Sequence, residues 1–153
     1  AAGLQIMIEA APVWQEFWGA WCFPLDSAFA TTLAGAGRID EAVSHIRDQL
    51  SMSKVSGAHW WDAEFHRVLG ELSLTSNPAG LDAARASFEQ AIAIARQQPA
   101  PFLELRAAMS LARLDPKSND TNGATLTLQR AVHQFPADVD TTDLRLARNI
   151  LSA

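Results

Sequence analysis

The sequence has one cysteine, no tyrosine and no long apolar run, and these shortages already limit what the protein can be. A disulfide needs two thiols, so Cys22 cannot form one within the chain, and such cysteine usage is typical of a reducing compartment. No apolar segment approaches the ~20 residues that cross a bilayer. The apolar residues 4–8 also lack the preceding basic residues of a signal peptide. We therefore expect a cytoplasmic protein with no membrane partner and no secretory leader.

Basic residues are scarce as well. Lys and Arg number 12 against 17 Asp and Glu, which gives a formal net charge of −5, and the basic residues are scattered along the chain. Nucleic-acid binding relies on a basic stripe that displaces phosphate counterions. We therefore expect no nucleic-acid partner. With 48% hydrophobic and 19% charged residues, the chain is typical of a globular domain or a run of small repeats.

Apolar side chains recur at offsets of three and four residues, which is the spacing of an amphipathic helix. The clearest cases are residues 39–50 and 81–95. No run alternates apolar and polar residues in the manner of a half-buried strand. The sequence therefore predicts an all-α fold.

The helical segments also repeat along the chain. An alanine followed four residues later by a large apolar residue occurs three times, at offsets of 42 and 40 residues: Ala42 with Ile46, Ala84 with Phe88, and Ala124 with Leu128. A small residue that lets another helix approach lies fourteen positions before the second and third alanines, at Gly70 and Ser110, and the first unit offers Ala28 or Ala30. Each unit is thus predicted to be a helical hairpin that buries its apolar face against the next.

These patterns predict one helical-repeat domain over residues 1–153. It begins with helical material at 4–22, which Pro12 interrupts or restarts. A closing helix at 141–152 begins at an N-cap of Thr141 or Thr142. Between them lie three hairpins, 24–55, 59–97 and 101–135, with helices at 24–36, 39–55, 59–75, 80–97, 101–114 and 121–135.

The repeat resembles the tetratricopeptide repeat, whose second helix carries Ala, a large apolar residue and Ala at these spacings. Pro136 matches the closing proline of that repeat. The period here is longer than the usual length of about 34 residues, because turn-forming loops such as "SNPAG" extend it. The resemblance implies a superhelix of stacked hairpins.

Four longer segments are similar to a tetratricopeptide-like region at the C-terminus of large bacterial signalling proteins. Those proteins have a nucleotide-binding ATPase core and an adenylate or guanylate cyclase or winged-helix DNA-binding domain. The segments are "AGAGRIDEAVSHI", "WWDAEFHRVLGELSL", "ARASFEQAIAIARQQPAPFLELRAAMSLARL" and "DTTDLRLARNIL". The resemblance implies a fragment of a longer cytoplasmic polypeptide, in which this part senses or docks. Neither the cyclase metal aspartates nor a GxxxxGK[ST] phosphate loop occurs in the sequence, so no cofactor is expected.

In tetratricopeptide stacks the first helix of each hairpin lines the concave groove. The resemblance therefore places Glu64, Arg67 and Glu71, whose charges alternate at i+3 and i+4 spacing, in that groove. The main hypothesis is a non-enzymatic interaction module that binds a peptide, or another domain of its own polypeptide, through the concave face. The predicted partner contacts are Trp61, Glu64, Arg67, Glu71, Glu104 and Arg106.

The alternative hypothesis is an enzyme that uses Asp62, Glu64 and His66 for acid–base or metal chemistry, since Asp62 and His66 lie one helical turn apart. His59 and His66 are two turns apart, about 10 Å along a helix, which is too far to share a metal ion. No nucleophile motif accompanies these residues. We therefore predict no catalytic residue and no metal ligand, and His45 is assigned no role.

Tryptophans occur in two groups. Trp60 and Trp61 point in different directions on a helix, so one is expected to pack near Ile46 or Leu50 and the other to be partly exposed. The second group forms an aromatic patch near the N-terminus, which we expect self-association or another domain to cover. It consists of Trp14, Trp18 and Trp21.

Overall fold

The computed structural model describes residues 2–18, 23–76, 80–114 and 123–152, and it leaves out the side chains of residues 2, 14, 15, 17, 18 and 76. These ranges form eight α-helices and one 3-10 turn, His59–Trp61, without any strand, so the all-α prediction is confirmed. The helices are α1 (Ala2–Trp18), α2 (Phe23–Gly35), α3 (Ile39–Ser56), α4 (Asp62–Ser76), α5 (Leu81–Gln97), α6 (Pro101–Leu114), α7 (Ala124–His133) and α8 (Thr142–Ser152).

The described helices overlap the segments predicted from the sequence, with small shifts at their ends, such as that of α7, which ends at His133 rather than at residue 135, and with two larger differences. α1 runs continuously through Pro12, where the sequence predicts an interruption. Proline removes one backbone hydrogen bond, but its neighbour Ala11 is buried in the core, so packing holds the helix at this point. The second difference is the 3-10 turn before α4. It follows Gly57, whose left-handed backbone (φ 73°) ends α3.

The helices form two layers. Each helix from α2 to α8 packs against the next one in sequence, and α2, α4, α6 and α8 also pack against one another in that order. Within the described ranges no comparable packing joins α3 to α5 or α5 to α7. The first helix of each hairpin therefore belongs to a continuous inner layer, and the second helices lie outside it.

The repeated positions form the core between these layers. The large apolar residues Ile46, Phe88 and Leu128 are at most 1% exposed. Gly70 allows α4 to lie directly on α5, because a Cβ at this position would be 2.7 Å from Cδ1 and 2.9 Å from Cζ of Phe88. In the first hairpin the buried small residue is Ala30, whereas Ala28 is exposed.

The last helix begins where its capping residue predicts. The backbone N–H of Leu144 donates a hydrogen bond of 3.2 Å to Oγ1 of Thr141. This bond satisfies one of the free amides of the first turn. Thr141, rather than Thr142, is therefore the N-cap of α8.

Candidate functional site

A groove of about 680 Å³ crosses the inner layer. Residues from α2, α4 and α6, together with the 3-10 turn, form its walls, so three successive hairpins contribute to one surface. Five of the six predicted contact residues line it: Glu64, Arg67 and Glu71 share one face of α4, Trp61 lies in the turn before it, and Arg106 comes from α6. The lining residues are Pro24, Ser27, Ala28, Thr31, Thr32, Trp61, Glu64, Arg67, Glu71 and Arg106.

A buried ion pair forms the floor of the groove. Nε and Nη2 of Arg67 donate to Oε2 and Oε1 of Glu64, each at 2.8 Å. The Glu64 side chain is 3% exposed and that of Arg67 is 10% exposed. This two-pronged geometry is the strongest form of carboxylate pairing. Both residues therefore line the floor of the groove with little of either side chain exposed.

Neighbouring carboxylates keep Arg67 charged despite its burial. Burial lowers the pKa of the Arg67 guanidinium, but the hydrogen bonds and charges of Glu64 and Glu71 outweigh this effect, so its pKa is raised. Nη1 of Arg67 also donates to Oε1 of Glu71. The Glu71 side chain is 44% exposed, and the same oxygen accepts a hydrogen bond of 3.1 Å from Oγ of Ser110 on α6. Glu71 therefore connects the buried pair to the open surface.

Arg106 connects the inner helices to one another. Its Nη1 lies 2.9 Å from Oε1 of Glu64 on α4, and its Nε lies 3.9 Å from Oδ2 of Asp143 on α8. The side chain is 38% exposed, so part of its guanidinium remains open to solvent. One cation thus links α4, α6 and α8 along the groove.

Trp61 forms an aromatic wall of the groove. Its Nε1–H donates a hydrogen bond of 2.9 Å to Oγ of Ser27 on α2, which fixes the orientation of the ring. Trp61 also packs against the core cluster that contains Ile46. Trp60 is 41% exposed, lies outside the groove lining and stacks on Phe23 with ring centroids 5.9 Å apart. The two indoles therefore differ in exposure, as the sequence predicts.

Glu104, which the sequence places in the groove, lies elsewhere. Its Oε1 accepts from Nε of Arg96 at 2.7 Å and its Oε2 from Nε2 of Gln134 at 2.6 Å, and the residue is 4% exposed. It borders a separate cavity of about 430 Å³ between α5, α6 and α7. Arg106, two residues further along α6, faces the groove instead, because two residues turn a helix by about 200°.

The residues of the enzymatic alternative do not converge. Asp62 accepts a hydrogen bond of 2.6 Å from Oγ of Ser53 and lies 2.9 Å from Nδ1 of His59, rather than pairing with His66. Glu64 contacts the groove arginines instead. No group of three or more His, Cys, Asp or Glu side chains within the described ranges is placed to hold a metal ion.

The side chains of Ser53, His59 and Asp62 contact one another, but they are not arranged as a catalytic relay. A catalytic relay needs histidine between serine and aspartate, with a different ring nitrogen facing each. Here Ser53 donates directly to Asp62, and Nδ1 of His59 faces both residues, at 2.9 Å from each. Ser53 is fully buried. The three residues therefore clamp the connection between α3 and α4.

Two histidines have environments that the sequence does not reveal. Burial lowers the pKa of His66, while the charge of Asp62 opposes the shift and that of Lys54 adds to it. Nε2 of His45 lies 3.0 Å from Oδ1 of Asp26, which is 1% exposed. The pair joins α2 to α3. It has no sequence signal, since its members are nineteen residues apart and belong to different helices.

No protein-family model matches this chain, and no curated protein or solved structure is significantly similar to it. In the described part of the chain, no helix is both long enough and apolar enough to cross a membrane. The side chains of Trp14 and Trp18, and the whole of Trp21, lie outside the described residues. The prediction that this patch is covered therefore stays a prediction.

Proposed function

We propose that this chain is a non-enzymatic protein-interaction module, a tetratricopeptide-like stack of hairpins that binds a peptide segment in the groove of its inner layer. The observation that supports the proposal is the shared groove itself. Three successive hairpins contribute its walls, and Trp61, Glu71 and Arg106 each offer a different kind of contact there. A surface assembled from repeats suits an extended partner better than a small molecule.

The groove chemistry favours a polypeptide over a strongly charged ligand. The lining has two carboxylates, Glu64 and Glu71, and two guanidiniums, Arg67 and Arg106, so its formal charges balance. Glu71 offers an exposed acceptor and Arg106 an exposed donor, which match the N–H and C=O groups of a peptide backbone. Trp61 provides an apolar wall for a side chain of the partner. The occupant is therefore a largely uncharged peptide segment with an apolar anchor.

The proposal includes the setting that the sequence resemblance implies. The peptide segment belongs to another domain of the same polypeptide or to a regulator, and the module works in the cytoplasm beside a nucleotide-binding ATPase core. In that setting it reports an occupied groove to the catalytic part of the parent protein. Repeats of this kind provide extended surface rather than chemistry.

Selection from a displayed random-peptide library tests the proposal without a known partner. Selected peptides are synthesised, labelled, and titrated against the wild-type protein and two matched variants. Ala28→Arg inserts a long side chain at an exposed position of the groove wall. Ala86→Arg makes the same change at an exposed position of α5, outside the groove.

We expect Ala28→Arg to weaken peptide binding by at least about tenfold, because a steric block in a groove readily removes more than about 1.4 kcal/mol. Ala86→Arg should leave binding unchanged. The indole N–H signal of Trp61, assigned with Trp61→Phe, should shift on titration with wild type. Selected peptides that bind both arginine variants equally, or that leave the Trp61 signal unmoved, would refute the groove as the binding site.

A further inference from the structure

The described side chains of the first helix include apolar residues on two sides, and those on one side are covered. Leu4, Met7 and Ile8 pack against the core cluster. On the opposite side, Ile6 is 65% exposed and Val13 is 55% exposed. These two residues are one heptad apart, so they form a stripe along one line of α1. A helix that is apolar on opposite sides is typical of one buried between partners.

An acidic seam runs beside this stripe. Glu9 and Glu16 are both exposed and are also one heptad apart, three residues after Ile6 and Val13 respectively. Gln5 extends the seam and donates a hydrogen bond of 2.8 Å to Oε1 of Glu9. No Lys, Arg or His occurs before Arg38, so nothing on α1 or α2 neutralises the seam.

The negative charge of the acidic seam distinguishes among the possible partners of this face. A second copy that pairs symmetrically through this face would bring Glu9 and Glu16 against the same residues of its partner with no basic residue between them, and like-charge juxtaposition disfavours that pairing. An anionic membrane surface repels the same seam, and helices that lie on membranes carry Lys and Arg there. A helix with an apolar stripe flanked by Lys or Arg complements both features of α1.

We propose that the outer face of α1, made of Ile6 and Val13 with the seam of Glu9 and Glu16, is a docking site for an amphipathic helix whose apolar stripe is flanked by basic residues. The apolar residues supply the contact area. The two carboxylates select the charge of the partner and its alignment along α1. Charged residues beside the apolar contact line of a coiled coil have the same effect. This face is separate from the groove, and each site can be tested without the other.

Two synthetic helices and a charge reversal test the proposal. One labelled peptide has a leucine stripe flanked by lysines, and its twin has glutamates at the same places. Both are titrated at low salt against wild type, Glu9→Lys/Glu16→Lys and Ile6→Gln/Val13→Gln. Leu146→Gln on α8, also an exposed apolar residue at 42%, is the control for removing a surface side chain. Phosphatidylserine-containing vesicles and sedimentation equilibrium test the two rival occupants.

We expect wild type to bind the lysine peptide about tenfold more tightly than its twin, since two attractive contacts are replaced by two repulsive ones. The charge reversal should invert that preference, and Ile6→Gln/Val13→Gln should abolish binding of both peptides while Leu146→Gln does not. Equal binding of the twins would overturn the proposal. The proposal would also be overturned if the protein bound vesicles instead of the peptides. A dimer that Ile6→Gln/Val13→Gln disrupts, found without any peptide binding, would overturn it as well.

Discussion

A single substitution at Gly70 tests how closely α4 lies against Phe88 of α5. Gly70→Ala adds one methyl group, 2.7 Å from Cδ1 and 2.9 Å from Cζ of the ring. Carbon atoms in contact normally lie about 3.5–4.0 Å apart. The ring must therefore move by about 1 Å, but it is 1% exposed and closely surrounded by core residues.

Two opposing effects set the magnitude. Overpacking of a close-packed core costs about 1–3 kcal/mol, and the sealed position of Phe88 puts this site near the upper value. Alanine is a better helix former than glycine by about 1 kcal/mol, which offsets part of the cost. We therefore expect Gly70→Ala to lower the free energy of unfolding by about 2 kcal/mol. Urea denaturation followed by circular dichroism measures this change directly.

Matched variants separate crowding from other causes. Gly35→Ala places a Cβ where no atom other than those of the adjoining helix backbone and chain neighbours lies within 4 Å, so we expect a stability change of less than about 1 kcal/mol. Phe88→Leu destabilises the protein on its own, but adding Gly70→Ala to it should cost nothing, because the smaller side chain makes room. A Gly70→Ala protein as stable as wild type would refute the inferred close approach of the two helices.

Three further predictions concern charge, pH and capping. Arg67→Met should lower the free energy of unfolding by about 3 kcal/mol, because the buried Glu64 carboxylate loses the positive charge of its main partner. In denaturation experiments, Arg67→Met/Glu64→Leu should recover much of this loss. A double variant less stable than Arg67→Met would contradict the reasoning. His66 has a lowered folded pKa, so the unfolded chain binds a proton first as the pH falls below the ordinary value of 6.5. Stability is then full above that value and declines below it, and His66→Gln should flatten the decline in denaturation midpoints measured from pH 7 to about 5. Thr141→Ala should cost about 1 kcal/mol and speed hydrogen exchange at the Leu144 amide, whereas unchanged exchange would argue against the cap.

The sequence predicts the helices and much of the groove because both depend on regular spacing. Glu64, Arg67 and Glu71 follow one another at helical intervals, so their shared face can be read before any tertiary contact is known. The same reasoning fails for Glu104. Its offset of 40 residues from Glu64 equals the repeat, but Arg96 on α5 and Gln134 after α7 hold its carboxylate on the other side of α6.

Partners distant in sequence account for the rest of what the sequence does not predict. Asp62 has His66 one turn ahead on its own helix, yet it pairs with Ser53 and His59, because the bend at Gly57 brings the end of α3 back to the start of α4. Periodicity describes which face of a helix is buried. It does not specify which polar atom on a neighbouring helix lies opposite.

Arg106 makes two ion pairs of unequal length, with Nη1 2.9 Å from Oε1 of Glu64 and Nε 3.9 Å from Oδ2 of Asp143. A peptide in the groove that draws the guanidinium toward itself would lengthen the weaker of these contacts first, which is the one to Asp143. If the peptide displaces Asp143, α8 loses its ionic tie to the rest of the inner layer. Peptide binding in the groove would then loosen the attachment of α8 without any change in the core.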